Sequence, residues 1–245
     1  PIDNVNDAPQ GAPVVTGTLI QGGTLGADGA GIQDADGIDA STVTHQWLRD
    51  GTPIDGADAQ SYLLTQADVG AQISVTLAYT DLFGAVETLS SDPMDPVENV
   101  NDAPDGVLEI IGSPTEDATL SVDPGTISDT DGIDPGTVTV QWLRDGQVIG
   151  GANGTSYQLG QADVGSVFSA TLSYTDGFGA AEQVVSGSTA QVQNINDDPV
   201  GLVFITGQMS EGATLAAHTA SVSDADGIVQ GTGLLQWLRD GVAVD

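Results

Sequence analysis

Oxygen-bearing side chains return along this chain at a fixed interval. Asp34 and Asp36 stand in Asp-Ala-Asp-Gly, Asp129 and Asp131 in Asp-Thr-Asp-Gly, and Asp224 and Asp226 in Asp-Ala-Asp-Gly, each pair 95 residues after the last. Asn6 and Asp7, Asn101 and Asp102, and Asn196 and Asp197 recur with the same step inside the motif Asn-x-Asn-Asp-x-Pro. Asp81 and Asp176 each follow Tyr-Thr. Carboxylate and amide oxygens in such density suit a hard divalent cation. Calcium fits best, because it takes about six to eight oxygen ligands in flexible geometry. Zinc would need His or Cys at repeated positions. The chain has no Cys, and its two histidines do not recur: His45 aligns with Val140 and Leu235, and His218 with Asp28 and Asp123. An EF-hand is excluded, since the twelfth position of the Asp-x-Asp-Gly loop holds His45 or Val140, not Glu. The plainer reading of each acid is a turn, because Asp and Asn bond their own backbone two residues on.

Other chemistries find little to work with. The chain carries 35 acids against three basic side chains, a formal net charge of -32. Nothing here neutralises phosphates, so nucleic acid and anionic membranes are excluded as partners. There is no Cys or Lys nucleophile and no glycine-rich phosphate loop. No apolar environment raises one carboxyl of a pair for acid-base work. The expectation is that the protein is not an enzyme. No apolar stretch is long enough for a membrane-spanning helix.

The elements that carry these residues are repeats. The period divides the chain into repeat 1 (1–98), repeat 2 (99–193) and a partial repeat 3 (194–245). The only tryptophans, Trp47, Trp142 and Trp237, and the only arginines, Arg49, Arg144 and Arg239, keep that spacing. A 95-residue unit is long enough to bury its own core. Period-two alternation predicts strands at 72–80 and 42–49, with shorter ones near 13–16, 24–27, 61–64 and 85–90. No sustained helical period occurs. The class expected is all-β, with tandem sandwiches in a linear array. The tryptophans belong in the cores, each arginine beside a nearby Asp, and Asp68 and Asp163 at Asp-Val-Gly turns. Asn153-Gly154-Thr155 reads as a hairpin turn.

Trp47-Leu-Arg-Asp-Gly, Ile54, Ser-Tyr62-Leu-Leu, Asp68-Val-Gly70 and Ile73-Ser-Val75 together resemble an immunoglobulin-type domain from strand C to strand F. Gln72 and Ser74 stand where antibody domains have Tyr and Cys, so the resemblance is to cysteine-free bacterial immunoglobulin-like repeats. The linker Asn-x-Asn-Asp-x-Pro is similar to the cadherin interdomain motif, with Asn for its first Asp and without its second Asn. The combination resembles the extender repeats of giant secreted bacterial adhesins of the repeats-in-toxin and biofilm-associated type.

In that frame the linker, the Asp-x-Asp-Gly loop and the Tyr-Thr-Asp loop share the end facing the previous repeat. Asp50, Asp55, Asp58 and Asp68, with Glu116 and Glu211, gather at the other end, so successive repeats meet acid to acid. The resemblance implies a secreted or cell-surface stalk in which calcium stiffens each junction and the partners are neighbouring repeats. A self-assembling fibre of identical chains is the alternative. A ligand-binding accessory module of an extracellular enzyme is the third reading, and it needs a cluster of exposed aromatics.

Overall fold

Alternation of apolar and polar residues makes two-faced strands, and two such faces must cover each other. The computed structural model describes residues 4–244. Contacts group these into two compact units. One holds everything up to Pro104 with Ser128–Asp134 and Thr175–Glu182; the other holds Asp105–Ile127, Pro135–Tyr174 and the chain from Gln183 on.

Repeat 1 has seven strands: β1 (Val14–Gly17), β2 (Thr24–Asp28), β3 (Thr44–Arg49), β4 (Thr52–Pro53), β5 (Ser61–Leu63), β6 (Ile73–Thr80) and β7 (Val86–Ser90). They form a three-stranded sheet, β1-β2-β5, and a four-stranded sheet, β4-β3-β6-β7. Leu25 and Ala27 of the first sheet pack with Trp47, Ile73 and Val75 of the second in one core. This is an immunoglobulin-like sandwich. Trp47 is fully buried, stacks on Tyr62 and donates its indole N–H to Ala59 O at 2.9 Å.

Repeat 2 repeats the plan with β8 (Ile110–Ile111), β9 (Thr119–Val122), β10 (Thr139–Arg144), β11 (Gln147–Val148), β12 (Ser156–Gln158), β13 (Phe168–Thr175) and β14 (Ala181–Val185). The sheets are β8-β9-β12 and β11-β10-β13-β14. In the register of β10 on β13, Trp142 lies opposite Ala170 and Val140 opposite Leu172. Repeat 3 keeps β15 (Phe204–Thr206), β16 (Ala216–His218), β17 (Leu238–Arg239) and β18 (Val242–Ala243) in two two-stranded pieces.

Three local features depart from the sequence reading. The strand expected from 42 begins at Thr44, because Asp39 accepts from the N–H and hydroxyl of Ser41 and holds a turn there. The Asp-Val-Gly turns are the ends of short 3-10 helices, Gln66–Asp68 and Gln161–Asp163. Asn153-Gly154-Thr155 is not a hairpin turn. It lies in the crossing between β11 and β12, which belong to different sheets, and Gly154 O accepts the Trp142 indole N–H at 2.9 Å. The true hairpin turn is Asp50-Gly51 between β3 and β4. Both residues have positive φ, 46° and 77°, as a two-residue turn of this hand requires. No helix among the described residues is long and apolar enough to cross a membrane.

Candidate metal centre

Each Asp-x-Asp-Gly loop is built the same way. The first Asp accepts the N–H of the second: Asp36 N to Asp34 Oδ1 at 2.8 Å, Asp131 N to Asp129 Oδ1 at 2.9 Å, Asp226 N to Asp224 Oδ1 at 2.9 Å. The second Asp then accepts the N–H of the linker Asp. Asp7 N reaches Asp36 Oδ2 at 2.7 Å, Asp102 N reaches Asp131 Oδ2 at 2.7 Å, and Asp197 N reaches Asp226 Oδ2 at 2.8 Å. The linker is thereby pinned to the loop three times over. Asn6 and Asn101 fasten it further, donating to Glu87 at 2.7 Å and Glu182 at 2.8 Å. Asn196 Nδ2 instead donates to Asp197 O at 3.0 Å.

Asp34 is occupied by protein donors on both oxygens, since Tyr79 OH donates to its Oδ2 at 2.6 Å. Burial first, and then the Asp34 carboxylate beside it, pushes the Tyr79 phenol far above its ordinary value. Asp81 and Asp176 use Oδ1 to cap their own loops, accepting from Phe83 and Ala85 and from Phe178 and Ala180. Both are only 3% exposed, and in both Oδ2 is buried without a hydrogen-bond partner. A buried acceptor left in this state is costly unless something supplies positive charge.

Two glutamines enter where the first repeat meets the second linker. Gln21 Nε2 donates to Asp102 Oδ2 at 2.7 Å, and its Oε1 accepts from Val100 N at 3.2 Å. Gln66 Nε2 donates to Asp131 Oδ1 at 3.1 Å. Here the acids meet amides rather than acids. One period later Glu116 replaces Gln21. Its Oε2 accepts from Ile195 N at 3.1 Å, the counterpart of the Val100 contact. Glu116, Asp197 and Asp226 bring carboxylate oxygens within 4.8 Å of one another. Gln161, with its amide nitrogen turned inward, donates to Glu116 Oε1 at 2.7 Å and Asp197 Oδ2 at 3.2 Å. Glu116 is 4% exposed.

The cluster fits a calcium ion in size and in donor type. Calcium–oxygen distances of about 2.3–2.6 Å place ligand oxygens up to about 5 Å apart across the ion. All donors are oxygens, and two of the three arginines are engaged elsewhere: Arg49 pairs with Asp68 at 2.7 Å and Arg144 pairs with Asp163. Asp68 is thus a cap and an ion-pair partner rather than an open ligand, holding Thr65 N and Oγ1 as well.

Sequence reasoning placed Glu116 in the loop that faces the next repeat but did not single it out, and it passed over Gln21, Gln66 and Gln161. The available signal was periodicity: Gln66-Ala-Asp68 and Gln161-Ala-Asp163 recur at 95, while position 21 changes from Gln to Glu at 116 and 211.

No protein-family model matches the chain, and no curated protein matches it significantly. Among solved structures, it is similar to the central fibronectin-III array of RIM-binding protein, at 11% identity and a TM-score of 0.21. That alignment covers 87% of this chain and 80% of that one. The sandwich assignment rests on the sheets and core above.

Proposed function

We propose that this chain is a calcium-stiffened spacer from a large secreted or cell-surface adhesin, and that it has no catalytic role. The observation that carries the reading is the convergence of Glu116, Asp197 and Asp226 where the linker enters the third repeat. Three carboxylates at this spacing repel by about 1 kcal/mol per pair in water, and by several times that where half-buried. A bound calcium ion turns the repulsion into a clamp holding the linker to the repeat before it. The linker is already short and tethered, with Glu116 N donating to Gln193 O and Gln193 N to Pro114 O, both at 2.8 Å. Repetition then adds length without new chemistry. In this reading the partners are neighbouring repeats of the same chain, and the net charge of -32 keeps separate chains apart.

The test is small-angle X-ray scattering of the chain in calcium and in EGTA. The proposal expects a stiff particle in calcium and a wider spread of end-to-end distances in EGTA. Identical profiles would sink it. A self-assembling fibre of identical chains is the second reading. Particles that grow in calcium would select it.

A further inference from the structure

Asn153 and Gly154 have no hairpin turn to form, and their reactivity remains to be explained. They are the one Asn–Gly pair in the chain. The other six asparagines precede Val5, Asp7, Val100, Asp102, Ile195 and Asp197, whose side chains screen the amide that follows. Asn153 and Gly154 are both exposed, and the chain bends at Gly154 and Thr155. Gly154 has no side chain over its nitrogen, and the atom nearest the place of a Cβ is Ser156 O at 3.6 Å. Among the described residues neither the Asn153 side chain nor the Gly154 N–H makes a hydrogen bond.

Repeat 1 shows how the crossing looks with an acid in that place. Its counterpart of Asn153-Gly154-Thr155 is Asp58-Ala59-Gln60, with Asp58 exposed. The same four hydrogen bonds hold both crossings. Trp47 N donates to Ala57 O and Trp142 N to Ala152 O, each at 2.9 Å. Ala57 N donates to Ile54 O at 3.2 Å and Ala152 N to Ile149 O at 3.1 Å. The indole N–H groups donate to Ala59 O and Gly154 O, each at 2.9 Å. Ala27 N donates to Gln60 O and Val122 N to Thr155 O, each at 2.9 Å. An Asp therefore fits at 153 with the backbone unchanged, and an Ala fits at 154.

We infer that Asn153 is a self-modifying site, at which the chain turns its own amide into a carboxylate and repeat 2 acquires the acid that repeat 1 carries at Asp58. The reaction needs only water and base. The Gly154 nitrogen loses its proton and attacks Asn153 Cγ, and the new C–N bond closes a cyclic imide. The side-chain nitrogen leaves as ammonia, taking up a proton in place of the one lost. Water then opens the ring. Cleavage of the new Cγ–N bond gives Asp. Cleavage of the original peptide C–N bond gives isoaspartate, with the main chain rerouted through the side-chain carbon. Isoaspartate lengthens the backbone by one methylene between Ala152 and Gly154, which hydrogen bonds hold on either side, so it strains the crossing that receives the Trp142 indole. The Asp product adds one negative charge and keeps the fold.

The experiment holds the chain at mildly alkaline pH and follows ammonia release, with peptide mapping by mass spectrometry. The expected result is a mass gain equal to exchange of NH2 for OH, confined to Asn153, with one ammonia per chain. Asp–Gly pairs that close the same ring lose and regain water, so they leave the mass unchanged. Gly154→Ala, which installs the residue of repeat 1, should slow the reaction several-fold, and Asn153→Asp should melt with the wild type. A chain that keeps its mass while a peptide of residues 149–160 converts overturns the inference, because the fold then shields the site. So do equal conversion at another asparagine, an unchanged rate in Gly154→Ala, and an Asn153→Asp protein that melts below the wild type. Calcium takes no part in the ring closure, so failure here leaves the junction reading intact.

Discussion

Asp68 shows how a single acid in a strongly acidic chain can be structural. Burial alone would raise its carboxyl. The Thr65 N–H, then the Arg49 guanidinium, then the Thr65 and Tyr62 hydroxyls hold it below its ordinary value. A depressed folded-state value gives stability that is present above the unfolded Asp value and is lost as pH falls through the folded one. Acidification also relieves the charge of -32, which pushes stability the other way. The difference between wild type and Asp68→Asn separates the two effects, since both proteins share the global term. The expectation is that urea unfolding at pH 7 shows Asp68→Asn less stable by about 2 kcal/mol, because the Arg49 charge loses its partner. The gap should close as pH falls below the carboxylate range. A gap that persists in acid would show that shape, not charge, carries the contribution of Asp68.

Two glycines in repeat 1 test the strands and turns. Gly51 sits at φ 77° with open space where a Cβ would go, so Gly51→Ala carries only the left-handed conformational cost, about 1 kcal/mol. Gly17, at φ 125°, would place a Cβ 2.5 Å from Thr24 O across the β1–β2 pair, so Gly17→Ala must also part the strands. Thermal melts should rank Gly17→Ala well below Gly51→Ala, and the reverse order would contradict the β1–β2 register. At this scale much was legible in the sequence. The strands at 73–80 and 44–49 announce themselves by alternation, and Trp47 and Trp142 by their spacing. What was not legible depends on tertiary crossings. Asn153-Gly154 carries the signature of a hairpin turn, yet its flanking strands belong to different sheets. Gln66 and Gln161 look inert until the 3-10 helices aim them at carboxylates. The Asp residues of the turns were visible, but their division into backbone-capped oxygens and the orphaned Oδ2 atoms of Asp81 and Asp176 needs coordinates.

For the whole molecule the repeats are alike in fold, and one charge difference at the linker, Gln21 against Glu116, should control how each junction answers calcium. Gln21 and Glu116 occupy equivalent places and accept the equivalent linker N–H, from Val100 and Ile195. The amide also donates to Asp102 at 2.7 Å and so stabilises its junction without an ion. The carboxylate cannot donate, and it adds a third negative charge to Asp197 and Asp226. Exchange of a carboxylate for an amide removes a full charge from the ligand set, and calcium affinity follows ligand charge. Glu116→Gln is therefore expected to weaken calcium binding by about tenfold or more, a change of at least about 1.4 kcal/mol, read by calorimetry at fixed salt. Gln21→Glu should do the reverse, adding a binding event and lowering stability in EGTA, where the new carboxylate faces Asp102 without a counter-ion. High salt should blunt the EGTA penalty, because at about 1 M the Debye length shrinks to about 3 Å. If Gln21→Glu gains no binding and Glu116→Gln loses none, the acids of the junction are turn formers that happen to lie close.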